Sequence, residues 1–130
     1  FTFAYLFGAL IMAEDLGCFR EAIRFLEKGI LNNPRDWWLP FEMGFLYYVN
    51  ERDYDMAERY FRLASRLPEA DEITRRFAAF AAAKAKHLET SIAMWEDLAR
   101  TSDNSYIREL AGRYIEKLKT QLEEKSVEKK

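Results

Sequence analysis

The sequence predicts an all-α chain of seven helices: three helix hairpins stacked one on the next and closed by a C-terminal capping helix. Three observations carry this expectation. A helical pattern recurs at intervals of 34 to 35 residues along the chain. Only 3 Pro and 5 Gly fall in 130 residues, too little punctuation for a fold built from many turns. Hydrophobic residues make up 49% of the chain and aromatic residues 15%, enough for one domain of this length to bury a core without disulfides or metals.

The first helix is expected over about residues 2–16. From Phe1 to Ala13 the chain carries no charge, and Glu14 and Asp15 then end the run. A bilayer span needs roughly 18 or more such residues, so direct membrane insertion by this stretch is not expected. No basic region precedes it as a signal peptide would require. The chain opens on Phe instead of Met, which reads as a cut from a longer protein. Any signal or anchor would then lie upstream of Phe1, and the compartment stays open. A helix apolar on every side must be covered on every side. The sequence therefore expects residues 1–13 to meet either the preceding part of the parent chain or a second copy.

The second helix of each hairpin carries the repeat. Arg20 to Gly29 recurs as Asp55 to Ala64 and, more loosely, as Glu89 to Leu98. The small residues Ala22, Ala57 and Ser91 each have a large apolar residue four places on, at Leu26, Phe61 and Trp95. Another stands three places before, at Phe19, Tyr54 and Leu88. That spacing lays one stripe along one helix face.

Between these lie helices over about Trp37 to Asn50 and Glu72 to Lys84. Asp36 is placed to cap the first of them, with Pro40 in its opening turn, and Asp53 to cap the helix that begins at Tyr54. Pro34 and Pro68 follow helix ends, where a residue that cannot continue a helix belongs. The repeats run over about residues 2–34, 36–69 and 71–103.

After Asp103 the helix expected over about 104–118 has one apolar stripe, Ile107, Leu110, Ala111, Tyr114 and Leu118, on a charged background. Such a helix closes a stack that would otherwise expose its last hydrophobic face. Residues 1–118 thus read as one domain and 119–130 as a charged, fraying helical tail.

The chemistry-bearing residues are few. With 20 basic and 22 acidic residues the net charge is -2, so no global field draws a phosphate backbone and nucleic acid is not an expected partner. Cys18 and His87 are the only thiol and imidazole. They precede Phe19 and Leu88 at equivalent turns two repeats apart, on the order of 20 Å from each other, so they are not expected to meet as a catalytic dyad. One Cys and one His cannot make a dedicated zinc site, and there is no glycine loop to cradle phosphate. No catalytic residue, metal or cofactor is expected. Pairs such as Glu96 and Arg100 at i, i+4 read as solvated helix faces.

The 34-residue period, with small residues inside each helix and an aromatic packed against them, resembles the tetratricopeptide repeat. Gly17, Phe19, Ala22, Leu26 and Pro34 carry the likeness in the first repeat, and Gly44, Tyr47, Tyr54, Ala57, Phe61 and Ala64 in the second. The third keeps Leu88, Ser91 and Trp95. Ala9 to Ala22 and Gly44 to Ala57 each hold one residue more than the family spacing, an excess expected in the turn.

The resemblance implies a right-handed superhelical stack of antiparallel hairpins whose first helices line a concave surface. Projected in that register, Trp38, Phe41, Phe45 and Tyr48 point into the groove with Phe3, Leu6 and Leu10, and Arg76 is a polar candidate beside them. An equally open reading puts these aromatics in the core. Many resembling domains grip a terminal carboxylate with Lys, Asn and Arg. Here Leu6, Leu10 and Glu42 stand about where that clamp would lie, so an apolar partner is expected, though Arg75, Arg76 and Lys84 could still pair with acidic groups. The functional expectation is a non-enzymatic scaffold or adaptor that binds a peptide or helix of another protein. The alternative is a structural section of a longer solenoid or a self-association module.

Overall fold

The computed structural model describes residues 19–128, and all regular structure among them is helical. Six α-helices follow in order: α1 Phe19–Asn32, α2 Trp38–Leu46, α3 Tyr54–Ser65, α4 Ile73–Lys84, α5 Leu88–Thr101 and α6 Ser105–Glu128. A π-helical segment, Tyr47–Glu51, continues α2. The first predicted helix lies outside the described residues. So do Cys18, the groove candidates Phe3, Leu6 and Leu10, and the surface of residues 1–13 expected to take a partner.

Short polar side chains start these helices by accepting from N–H groups that have no partner in the first turn. The Asp36 carboxylate accepts from the Trp38 N–H at 3.1 Å and Asp53 from Met56 at 3.1 Å. Asp71 accepts from Ile73 at 2.9 Å, and the Asn104 amide oxygen from Tyr106 at 2.9 Å and Ile107 at 3.3 Å. The connections that follow α2, α3 and α4 each contain a non-glycine residue with positive φ: Arg52 at 51°, Glu69 at 60° and Lys86 at 70°. Arg52 and Lys86 are 34 residues apart, so a positive φ recurs one period on.

Each described helix packs chiefly against the one before it and the one after it. The core is accordingly a chain of three clusters. Ala22, Ile23 and Leu26 of α1 meet Leu39, Met43 and Leu46 of α2. Phe41, Ala57, Phe61, Ala64, Ala78 and Ala81 join α2, α3 and α4. Ala79 of α4 meets Leu88, Ile92, Trp95 and Leu98 of α5 and Ala111 and Leu118 of α6.

Small residues set how closely the helices approach. A methyl group on Gly44 would sit 2.7 Å from the buried Phe61 ring, a contact no real Cβ makes, so only glycine lets α2 lie on α3 at this distance. In the next hairpin Ser91 is fully buried, and its hydroxyl donates to the Ala79 carbonyl at 2.8 Å. That bond satisfies a polar group which burial alone would penalise.

The structure corrects three expectations. The additional residue between Gly44 and Ala57 is not in the turn. It widens the last turn of the preceding helix, where the Tyr47 carbonyl accepts from the Arg52 N–H five residues on and from the Asp53 N–H at 3.0 Å. One inserted residue in a helix is commonly absorbed as such a π-turn.

Phe41 is not a groove residue. It is 6% exposed and packs at 5.4 and 5.5 Å, centroid to centroid, on Phe61 and Phe77. The last helix runs on through the charged tail to Glu128, with Leu122 packed against the third cluster. Finally, Arg100 pairs with Asp97 at 2.6 Å instead of with Glu96.

Candidate functional site

Of the aromatics expected in the groove, Phe41 is buried in the core, and Trp38 and Phe45 pack half-buried against it. Seven of the nine residues of α2 are buried, Glu42 among them, so this helix has little free face to offer. Trp38 lies 5.2 Å from Trp37 and 5.6 Å from Phe41, and Phe45 lies 6.0 Å from Phe77. Both are half-buried against the middle cluster. Arg76 is also half-buried, and its Nε is the one fully buried side-chain nitrogen or oxygen without a hydrogen-bond partner among the described residues. Its neighbour Arg75 is occupied within the chain, by Asp97 at 2.9 Å, Thr101 at 3.0 Å and Glu72 at 3.6 Å.

Tyr48 is the exception. It stands in the π-helical segment, and the widened turn sets its ring 5.1 Å from Tyr54 on one side and at the edge of a cavity of about 300 Å³ on the other. The other walls come from α4 (Phe80, Ala83, Lys84), the following turn (Lys86), α5 (Trp95) and α6 (Tyr114, Lys117, Leu118, Gln121). On α6 these positions fall at i, i+3, i+4 and i+7, one face of a helix.

The floor is rigid. Trp95 and Tyr114 stack at 4.7 Å with an 11° tilt, and Phe80 meets both edge-on at 5.1 and 5.2 Å. The preferred geometries of ring pairs are both satisfied here. The Tyr48 phenol holds its proton more tightly than usual, first through burial and then through the neighbouring phenols of Tyr54 and Tyr114. Tyr48 therefore lines the cavity as a neutral hydroxyl. The rim is cationic: Lys84, Lys86 and Lys117 line the cavity, no Asp or Glu does, and none of the three lysines has an ion-pair partner among the described residues.

A second, shallower depression of about 400 Å³ is lined by Asp55, Glu58, Arg59, Arg62, Arg66 and His87. Several of its charges are already matched. Glu58, nearly buried, lies 2.9 Å from His87 Nδ1 and accepts from Arg62 at 3.2 Å, while Asp55 lies 3.5 Å from His87 Nε2. The hydrogen bond to Glu58 raises the His87 pKa, and the charges of Glu58 and Asp55 reinforce it against a smaller opposing effect of burial. This arrangement ties the start of α5 to α3. No local pattern in the sequence shows this pairing, because Glu58 and His87 are 29 residues apart.

Sequence reasoning likewise missed Phe80, Lys86, Lys117 and Gln121 as lining residues. A signal was present in α6, where lysine and glutamine interrupt the apolar stripe at the helical spacing of Tyr114 and Leu118. No group of three or more His, Cys, Asp or Glu among the described residues is placed to hold a metal ion, and no described helix is long and apolar enough to cross a membrane. Comparison with protein-family models, with curated proteins and with solved structures gives no match.

Proposed function

We infer that the chain is a helical-repeat domain of the tetratricopeptide kind, and that it holds a segment of another protein against the face shared by α2 with its π-turn, α4 and α6. Support for the repeat architecture comes from the 34-residue period in sequence and in the recurrence of a positive φ, and from the dominance of contacts between consecutive helices, the pattern of quasi-one-dimensional stacks. The observation that carries the function is the Tyr48, Phe80, Trp95 and Tyr114 cavity. These rings pack on one another and also border open space, where the π-helical segment, α4, α5 and α6 meet. Rigid aromatic side chains lose little rotamer entropy on contact and bury much area, the properties of binding anchors.

Selection of random displayed peptides on the immobilised 130-residue chain tests this reading. Selected peptides that converge on a shared pattern and lose binding to a Tyr114→Ala variant support it. Failure of any peptide to be enriched, with the chain folded by circular dichroism, would count against it. A chain that instead self-associates through another surface would favour the structural alternative.

A further inference from the structure

We propose that the segment held in this cavity is acidic: a stretch of a partner protein in which two or more carboxylates flank one apolar or aromatic side chain. This rests on the binding reading above and names the chemistry of the occupant. Lys84 and Lys86 border the cavity from the end of α4 and the turn after it, Lys117 borders it from α6, and Tyr48, Tyr114 and Gln121 supply further donors. No Asp or Glu lines it. In a chain whose net charge is -2, a cavity lined by three lysines and no carboxylate is a local excess of positive charge.

The two parts of the cavity assign the two parts of the ligand. The Phe80, Trp95 and Tyr114 floor suits one apolar side chain, and about 300 Å³ is near the lower end of small-ligand pockets, so it takes a side chain and its flanks, not a whole helix. The lysines above that floor suit carboxylates on the flanks. Nucleic acid is the other polyanion with apolar faces. A duplex or strand held by charge is ordinarily gripped by some six to ten phosphate contacts, and three lysines on an otherwise acidic chain fall short of that.

The experiment is calorimetric titration of the 130-residue chain with end-blocked peptides of about ten residues, each carrying several glutamates around one Leu, Phe or Trp. The same peptides with glutamine, the same with lysine, and a short oligothymidylate serve as comparisons. The glutamate peptides should bind about tenfold more tightly than their glutamine counterparts, the sum expected of three partly exposed charge pairs. The preference should shrink in high salt. The triple variant Lys84→Glu, Lys86→Glu, Lys117→Glu should reverse it toward the lysine peptides with its melting transition retained.

Equal binding of glutamate and glutamine peptides overturns the proposal while leaving the binding reading intact. No binding by any peptide to the folded chain overturns both. Tighter binding of the oligothymidylate, lost in the triple variant, assigns the site to nucleic acid instead. Should the triple variant fail to fold, the three single glutamine variants, each expected to lose a few-fold in affinity for glutamate peptides only, decide the same question.

Discussion

Two aromatic clusters sit side by side in this molecule, each built on a fully buried ring, and only one of them borders a cavity. Around Phe41, Phe61 and Phe77 the rings close on one another, with Phe61 fully buried and Gly44 letting α2 come down onto it. Around Phe80, Trp95 and Tyr114 the rings pair just as tightly, yet their outer side borders a cavity rimmed by lysines. The difference lies in the neighbours. Gly44 and the alanines of α3 and α4 pack against the first set, whereas lysines of α4, the turn after it and α6 line the space beside the second.

The same truncation in the two clusters should therefore give different losses. Phe61→Ala removes a fully buried ring and is expected to cost about 3–5 kcal/mol. Tyr114→Ala removes a half-buried one and should cost about 1–2 kcal/mol. Urea unfolding of both variants checks the contrast, and equal losses would mean that the second cluster is core like the first.

Glu42 sharpens the picture of the closed region. It is 6% exposed, and burial pushes its carboxyl up to about 7 from an ordinary 4.5. The folded chain thus keeps a proton that the unfolded chain has released, and stability should fall as pH rises from about 4.5 to about 7 and level off above. The full effect is of order 3 kcal/mol as an upper bound. Glu42→Gln should flatten this dependence and raise the melting temperature at pH 8, measurable by thermal denaturation across the range.

In the open region Lys86 stands in a left-handed backbone conformation, φ 70°, which strains any residue with a Cβ. Lys86→Gly is expected to gain up to about 1 kcal/mol of stability while weakening binding of acidic peptides, so stability and binding should move in opposite directions. A variant that loses both would make Lys86 structural.

The smallest effect belongs to His87. Its pKa is raised by Glu58, so the stability it adds is full below about 6.5, the unfolded value, and is lost as pH rises through the higher folded value. Half of the side chain is in water, where ion pairs are screened and weak. His87→Gln should remove a shallow pH step that remains in the Glu42→Gln background.

Much of the helical order was legible in the sequence because it is written in local spacing. The stripes of Ala22 and Leu26, Ala57 and Phe61, and Ser91 and Trp95 placed α1, α3 and α5, and Asp36 and Asp53 marked two starts. The residue added between Gly44 and Ala57 was also legible, but its location was not. A turn and a widened helix absorb one residue equally well, and only packing around Tyr47 and Tyr48 decides between them. The site was the least legible part. Aromatic density at Trp38, Phe41 and Phe45 reads the same whether rings face a core or a groove, and their burial depends on Phe61 and Phe77 from other helices. The cavity needs Tyr48, Phe80, Trp95 and Tyr114 from four elements, and no local pattern joins them.

A partner held at the cavity-lining aromatic cluster, and not at the Phe41 cluster, would leave its mark on different residues. Mapping amide chemical-shift changes across the 130-residue chain on adding a selected peptide tests this placement most directly. Changes gathered at Tyr48, Phe80, Lys84, Lys86, Tyr114 and Gln121 are the predicted result. Changes gathered instead at Trp37, Trp38 and Phe45, with the cavity residues unmoved, would contradict it.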